Sequence, residues 1–113
     1  MGSKQWAAKN YSNILKNTGI VSPKKKKTAK QLERHFKGAA NHRRIEILLL
    51  VAKSRGITLD EIAQSLDCNF KTISEHTQRL ARAGLIEKKY VKNYVAHTLS
   101  PYGQQFVRFI KAF

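Results

Sequence analysis

Lys71, Ser74, Glu75 and Gln78 succeed one another at i, i+3, i+4 and i+7, the spacing that sets side chains along one edge of an α-helix. All four hydrogen-bond, and their types suit the edges of base pairs in a major groove. Gln78 pairs with adenine, Lys71 with guanine, and Glu75 accepts from cytosine N4 or orients a neighbouring lysine. Thr72 joins this base-reading set from the first turn. Asn69, just ahead of the helix, sits where backbone N–H groups and the helix dipole favour a phosphate. A polar outer edge is also what any solvated helix presents, so the reading rests on what accompanies it.

Three groups of cations accompany it. Lys88, Lys89 and Lys92 interleave with Tyr90 and Tyr94 in a segment of period two. There Lys88 and Tyr90 share one face, Lys89 takes the other, and Lys92 falls at the tip. Arg43 and Arg44 open a central helix, and Arg79 follows Gln78. Lys24, Lys25, Lys26 and Lys27 form a run whose like charges repel it into an open form. Each is expected at a nucleic-acid backbone, and each true phosphate contact adds about 0.9 to the slope of log affinity against log salt on duplex DNA. Such a run also serves elsewhere as a solvated tail or an import signal, and Ser22-Pro23-Lys24-Lys25 is similar to short basic repeats of A·T minor grooves.

The formal charge is +15, and it is uneven: residues 1–40 hold ten basic side chains and one acid, residues 41–113 twelve and six. This exceeds the roughly 2–8 charges that suffice to keep a small domain soluble. It attracts polyanions, nucleic acid first and acidic membrane second. The longest apolar run, Ile45 to Ala52, is interrupted by Glu46 and falls short of the ~18 residues of a spanning helix. Cys68, the single cysteine, forms no intrachain disulfide, fits a reducing cytoplasm and is expected to pack. His35, His42, His76 and His97 fall on separate elements without metal-ligand spacing and read as surface or cap residues. No metal or cofactor is expected, and no carboxylate pair, nucleophile–base spacing or Gly-rich phosphate loop points to an enzyme.

The elements that must hold these residues are legible one by one. Residues 1–27 read as a basic arm with a weak helical period from Trp6 to about Leu15. Thr28 to Lys37 is a helix with Leu32 and Phe36 on one face and Gly38 as its stop. Asn41 caps a second helix, Arg43 to Ser54, whose Ile45, Leu48, Leu49 and Ala52 form a stripe widened by Ile47, Leu50 and Val51. Thr58 and Glu61 make a capping box for a helix carrying Leu59, Ile62, Ala63 and Leu66. After the turn Asp67-Cys68-Asn69, a further helix keeps Ile73, Thr77, Leu80 and Ala81 inward and stops at Gly84. Two short helices across a three-to-four-residue turn are a helix-turn-helix. Leu85 to Tyr90 and Tyr94 to Leu99 are strands, with Asn93 the candidate for positive φ between them. Ser100-Pro101 opens a last helix, where Phe106, Phe109, Ile110 and Phe113 share a face that must cover the core or a partner. The fold class is mainly α with a small β-hairpin: a winged helix-turn-helix over 28–113 behind the arm.

The succession Asn41-His42-Arg43-Arg44-Ile45-Glu46-Ile47-Leu48, Ile57-Thr58-Leu59-Asp60-Glu61-Ile62-Ala63, Lys71-Thr72-Ile73-Ser74-Glu75-His76 and Leu80-Ala81-Arg82-Ala83-Gly84-Leu85-Ile86 resembles the ArsR-type winged helix-turn-helix regulators. The ending Leu99-Ser100-Pro101-Tyr102-Gly103 is similar to that of MarR-type proteins. The resemblance covers about residues 28–113. It implies a prokaryotic, nucleoid-associated transcriptional regulator that binds double-stranded DNA as a homodimer through its first and last helices. It departs from metal-sensing members, because the chain lacks their paired cysteines and any His, Asp or Glu over 104–113. Glu75 stands where many relatives carry a basic residue, and the wing lacks their glycine. Two other readings fit the same charges: a non-specific architectural, replication or RNA-binding winged helix, and a protein–protein module favoured by Phe70 and Glu75.

Overall fold

Each helix begins at a side chain suited to start it. In the computed structural model, which describes residues 26–113, Thr28 caps α1 (Ala29–Ala39), Asn41 caps α2 (His42–Lys53) and Thr58 caps α3 (Leu59–Ser65). Asn69 caps α4 (Phe70–Arg82), and Ser100, followed by Pro101, caps α5 (Pro101–Lys111). Every one accepts a hydrogen bond from a backbone N–H that the first helical turn leaves unpaired. Between α4 and α5 lie β1 (Ile86–Val91) and β2 (Tyr94–Leu99), antiparallel from Ile86↔Leu99 to Val91↔Tyr94. The architecture is a winged helix-turn-helix: five helices and one two-stranded hairpin among the described residues. Lys24, Lys25 and the expected Trp6–Leu15 helix lie outside them.

The core is a small aliphatic cluster. Ile47, Leu48 and Val51 of α2, Ile62 of α3, Ile73 and Leu80 of α4, Leu85, Ile86 and Val107 meet there. Thr77 is buried with them because its hydroxyl donates back to the Ile73 carbonyl at 2.8 Å, so no polar atom is left unmatched. The stripe of α2 is narrower than expected. Ile45, Leu49 and Leu50 are only half-buried and Ala52 is exposed, since α4, β2 and α5 pack on one side of the helix.

Three local expectations are corrected. Gly38 does not stop α1, which runs on to Ala39; it is the crossing point with the end of α4, where a Cβ would lie 2.2 Å from the Ala83 Cβ. Asn93 does not take the positive φ; Lys92 does, at 45°. Val91↔Tyr94 pairing leaves two residues for the reversal, and a tight hairpin turn needs left-handed backbone at its first position. His35 and His97 are buried rather than surface residues. Each ring donates its Nδ1–H to a carbonyl, Ala83 at 2.6 Å for His35 and Ile57 at 2.9 Å for His97. A neutral, hydrogen-bonded imidazole is compatible with a core.

His97 also fastens the hairpin to the helix-turn-helix. Its backbone exchanges bonds with Gly56 and Ile57, making the one isolated bridge, Ile57↔His97. Ser100 fixes the other end: its hydroxyl donates to the Gly84 carbonyl at 2.5 Å and accepts from Gly103 N–H at 3.0 Å. Gly103 lies so close to the chain that a Cβ would sit 2.0 Å from the Leu85 carbonyl oxygen.

Two outcomes follow for stability. Gly103→Ala forces a methyl onto backbone that cannot rotate away, and we expect it to cost at least the ~1–3 kcal/mol of an overpacked site, read from urea unfolding; an unchanged midpoint would contradict the crossing. Burial holds the His97 pKa below the usual histidine value, with the Ile57 carbonyl opposing and Lys88 reinforcing the shift; His35 moves the same way. The unfolded chain therefore takes up the proton first, so this stability is present above about pH 6.5 and is lost on acidification below it. The thermal midpoint should fall on going from about pH 7.5 to about pH 5.5, and His97→Gln should flatten the fall.

Candidate nucleic-acid interface

The helix α4 presents its polar edge as its inward set requires. Ile73, Thr77 and Leu80 are buried; Lys71, Thr72, Glu75 and Gln78 are exposed, and Ser74 is partly so. The turn before α4 is tightened by Asp67, whose φ is 48°, and by Cys68 N–H donating to the Ala63 carbonyl. Cys68 is half-buried against the core. Asn69 commits its carboxamide oxygen to the N–H groups of Lys71 and Thr72. The start of α4 is thus already capped, which leaves Asn69 less to offer a phosphate than an open helix end would.

At roughly 100° per residue, the two flanks of α4 differ. Phe70 falls roughly 60° to one side of Ile73 and His76 roughly 60° to the other. On the Phe70 side stands the wing. Phe70, Lys88, Tyr90 and Tyr94 line one groove with Thr58 and Asp60 at the start of α3. Tyr90 is 78% exposed, and Lys88, Lys89 and Lys92 project into solvent. Glu61 does not compete for these lysines. Its carboxylate takes the Thr58 N–H and hydroxyl, bonds that hold its pKa below the usual glutamate range, the backbone bond foremost.

On the His76 side stand arginines. Arg44 and Arg79 lie near enough that burial first, and Arg79 second, lower the Arg44 pKa. His76 lies near both, its pKa lowered by burial and then by Arg44 and Arg79. Nε of Arg44 and Nδ1 of His76 are buried without hydrogen-bond partners. Arg43, by contrast, turns inward to Glu46 and the Leu66 carbonyl, both at 3.4 Å. Arg44 and Arg79 stand out in the sequence as cations, whereas the place of His76 beside them does not. Its signal was the i+3 offset from Ile73, which marks the border of the buried face.

A second feature lies away from α4. Leu32 and Phe36 of α1 and Phe109 and Phe113 near the chain end are exposed, Phe113 to 93%. Phe106 and Ile110 are half-buried. The rings form an edge-on series, Phe36–Phe106 at 5.2 Å, Phe106–Phe109 at 6.2 Å and Phe109–Phe113 at 5.1 Å. The face of α5 that covers the core is instead Gly103 and Val107, with Tyr102 and Phe106 beside them. Lys27 stands over the Tyr102 ring at 4.1 Å, and Tyr102 stacks on His35. Lys26 is exposed. Among the described residues no three His, Cys, Asp or Glu groups gather as a metal site, and no helix is long and apolar enough to cross a membrane.

Comparison with solved structures agrees with this architecture. The chain is similar to a domain of Mb0332 from Mycobacterium bovis, described as the homodimeric winged helix-turn-helix DNA-binding domain of a possible ArsR-family transcriptional regulator. Identity is 25%, the TM-score is 0.68, and the match covers 74% of this chain and 77% of that one. HlyU from Vibrio cholerae N16961 is 23% identical with a TM-score of 0.68, over 76% of this chain and 94% of its own. The transcriptional regulator HlyU from Vibrio vulnificus CMCP6 is 19% identical with a TM-score of 0.64, over 91% and 96%. At the two lower identities the likeness is one of fold. The structural neighbours are thus ArsR-type and HlyU winged helix-turn-helix regulators. No curated protein matches the sequence. A family model described as HVO_A0114 matches residues 39–102, from the end of α1 to the start of α5, and the chain belongs to that family.

Proposed function

We propose that this protein is a transcriptional regulator that binds double-stranded DNA as a homodimer, reading the major groove with α4 and gripping the backbone with the wing and the arm of residues 1–27. It is a binding protein, not an enzyme. The observation that carries this is the opposition on α4: Ile73, Thr77 and Leu80 buried, Lys71, Glu75 and Gln78 exposed, beside three wing lysines. Contacts to base edges specify sequence, while contacts to phosphates set register and affinity. Lys71, Thr72, Ser74, Glu75 and Gln78 are the readers. Lys88, Lys89, Lys92, Arg44, Arg79 and the lysines at 24–27 are the backbone contacts, with Asn69 and Arg43 in lesser roles because their polar atoms are already engaged.

The exposed rings supply the dimer. An apolar surface shared by two helices, with Leu32, Phe36, Phe109 and Phe113 facing water, is costly for a monomer, and a self-complementary patch closes on a twofold axis. A specific observation also favours a second reading. Phe70, Tyr90 and Tyr94 are exposed around one groove, and aromatic faces of this kind stack unpaired bases in single-stranded DNA or RNA.

Selection of bound duplexes from a random pool at two salt concentrations tests the first reading. We expect a consensus, a preference over random duplex of about a thousandfold or more, and a steep salt slope. Gln78→Ala or Lys71→Ala should relax the consensus at one position, costing about 1–3 kcal/mol there. Lys92→Ala should weaken all duplexes alike and reduce the salt slope by about one. Equal affinity for every duplex, with tighter binding of single strands, would transfer the function to the second reading. Phe109→Glu should turn a dimer into a folded monomer in sedimentation; a wild-type protein that already sediments as a monomer at micromolar concentration removes the dimer.

A further inference from the structure

We propose that Arg44, His76 and Arg79 form a socket for one oxyanion of the phosphate class, on the flank of α4 opposite the wing. Buried polar atoms in folded proteins are almost always hydrogen-bonded, yet Nε of Arg44 and Nδ1 of His76 are both buried and unpartnered. They belong to side chains close enough to act on each other electrostatically, one on α2 and one on α4. Both side chains are only partly buried, so one acceptor can reach and meet the two positions, Arg44 donating through Nε–H and His76 donating once Nδ1 carries a proton. The seam is also charged with a single sign. Arg44 and His42 face it from α2 and Arg79 from α4; Glu75, one residue along, is the only acid set against it. Basic groups outnumber the one carboxylate named there, and an oxyanion completes the set through charge-assisted bonds.

The location says which source of phosphate fits. A helix lying in a major groove has a phosphate strand along each flank. The wing lysines serve one strand; this socket is placed to serve the other. A backbone phosphodiester and free inorganic phosphate offer the same acceptor oxygens, and the duplex assignment, unlike the socket itself, rests on the function proposed above.

Occupancy reverses the electrostatics at His76. In the free protein burial and the two arginines keep the ring neutral, opposed by Glu75 and reinforced by His42. An anion in contact with the ring favours its charged form, so binding is coupled to uptake of a proton by His76. Affinity for the occupant therefore rises as pH falls, opposite in sign to the acid destabilisation caused by His97.

The test uses the full chain with labelled imidazole and guanidine nitrogens, titrated by NMR against pH in chloride, in inorganic phosphate at equal ionic strength, and with a saturating duplex. We expect the apparent pKa of His76 to rise by about one unit in at least one occupied sample, equivalent to about tenfold tighter binding at low pH. The Arg44 Nε–H signal should move with it. A response in both samples marks a general oxyanion socket, in the duplex alone a backbone site, and in phosphate alone a free-anion site. Arg79→Gln, at an exposed position, should abolish the response without loss of fold; Arg44→Lys, which keeps the charge and removes Nε–H, should weaken it. Silence of both signals in both samples, or a response that survives both substitutions, overturns the socket. Fluorescence anisotropy of the same duplex separates the two claims. Binding with silent signals sinks the socket alone; no duplex binding with a response to phosphate sinks the DNA reading alone.

Discussion

Four consecutive carbonyls at the end of α4 are each taken by a group from another element. Arg34 donates to Arg82, His35 to Ala83, the Ser100 hydroxyl to Gly84 and the Ser100 N–H to Leu85. The carbonyls of Arg79, Leu80 and Ala81 accept from the backbone N–H groups that follow them, and the next four, from the last helical residue onward, become the joint on which the molecule is built. Gly84, with φ at 76°, turns the chain out of α4 so that these oxygens point to different partners. Gly38 and Gly103 let α1 and α5 approach within contact of Ala83 and Leu85. Side chains at either position would push a helix off the joint. The aim of α4 is therefore set at its C-terminal end, away from the residues that face outward.

This joint links the two working surfaces. The aromatic rings of α1 and α5 hang from the same helices that grip Arg82 to Leu85. His35 bonds to Ala83 and stacks on Tyr102, over which Lys27 is seated. On the homodimer reading, movement of one α1–α5 pair against another is transmitted to α4 through short hydrogen-bonded contacts. On the same reading, the spacing of two α4 edges is fixed by the same packing that buries the rings, and a paired site one helical turn apart is what that geometry selects. A partly buried imidazole at such a joint couples packing to pH, since protonating His35 costs the burial that keeps it neutral.

Most of the fold was legible because its signals are local. Thr58 with Glu61, Asn41, Asn69 and Ser100-Pro101 are short-range capping motifs, and all five helices start where such residues stand. The inward set Ile73, Thr77 and Leu80 follows from helical period alone. What escaped the sequence is what depends on distant partners. Gly38 reads as a stop because glycine commonly ends helices; that it faces Ala83, 45 positions away, has no local trace. His35 and His97 read as surface residues because their acceptors, Ala83 and Ile57, are remote in the chain. Phe109 and Phe113 read rightly as a face, but periodicity does not say whether a face meets the core or water. The candidate site was half visible for the same reason. The outer edge of α4 and the wing lysines are periodic features, whereas the meeting of Arg44 with His76 and Arg79 exists only once α2 and α4 are packed.

On the function proposed above, Glu75 is the residue that most constrains how such a surface achieves selectivity. With a formal charge of +15, attraction to any polyanion comes readily, and that attraction is blind to sequence. An acid on the exposed edge of α4 subtracts from binding at every register except one that offers it a donor, such as cytosine N4. On that function it is a repulsive element as well as a reader, and discrimination between partners commonly needs both. Lys71 one turn before it and Gln78 one turn after it supply the attractive part. A strongly basic protein without a carboxylate there would bind tightly and everywhere. With it, the large, sequence-independent term contributed by the lysines is offset most where the bases are wrong, which is how a small domain with so much positive charge can still choose.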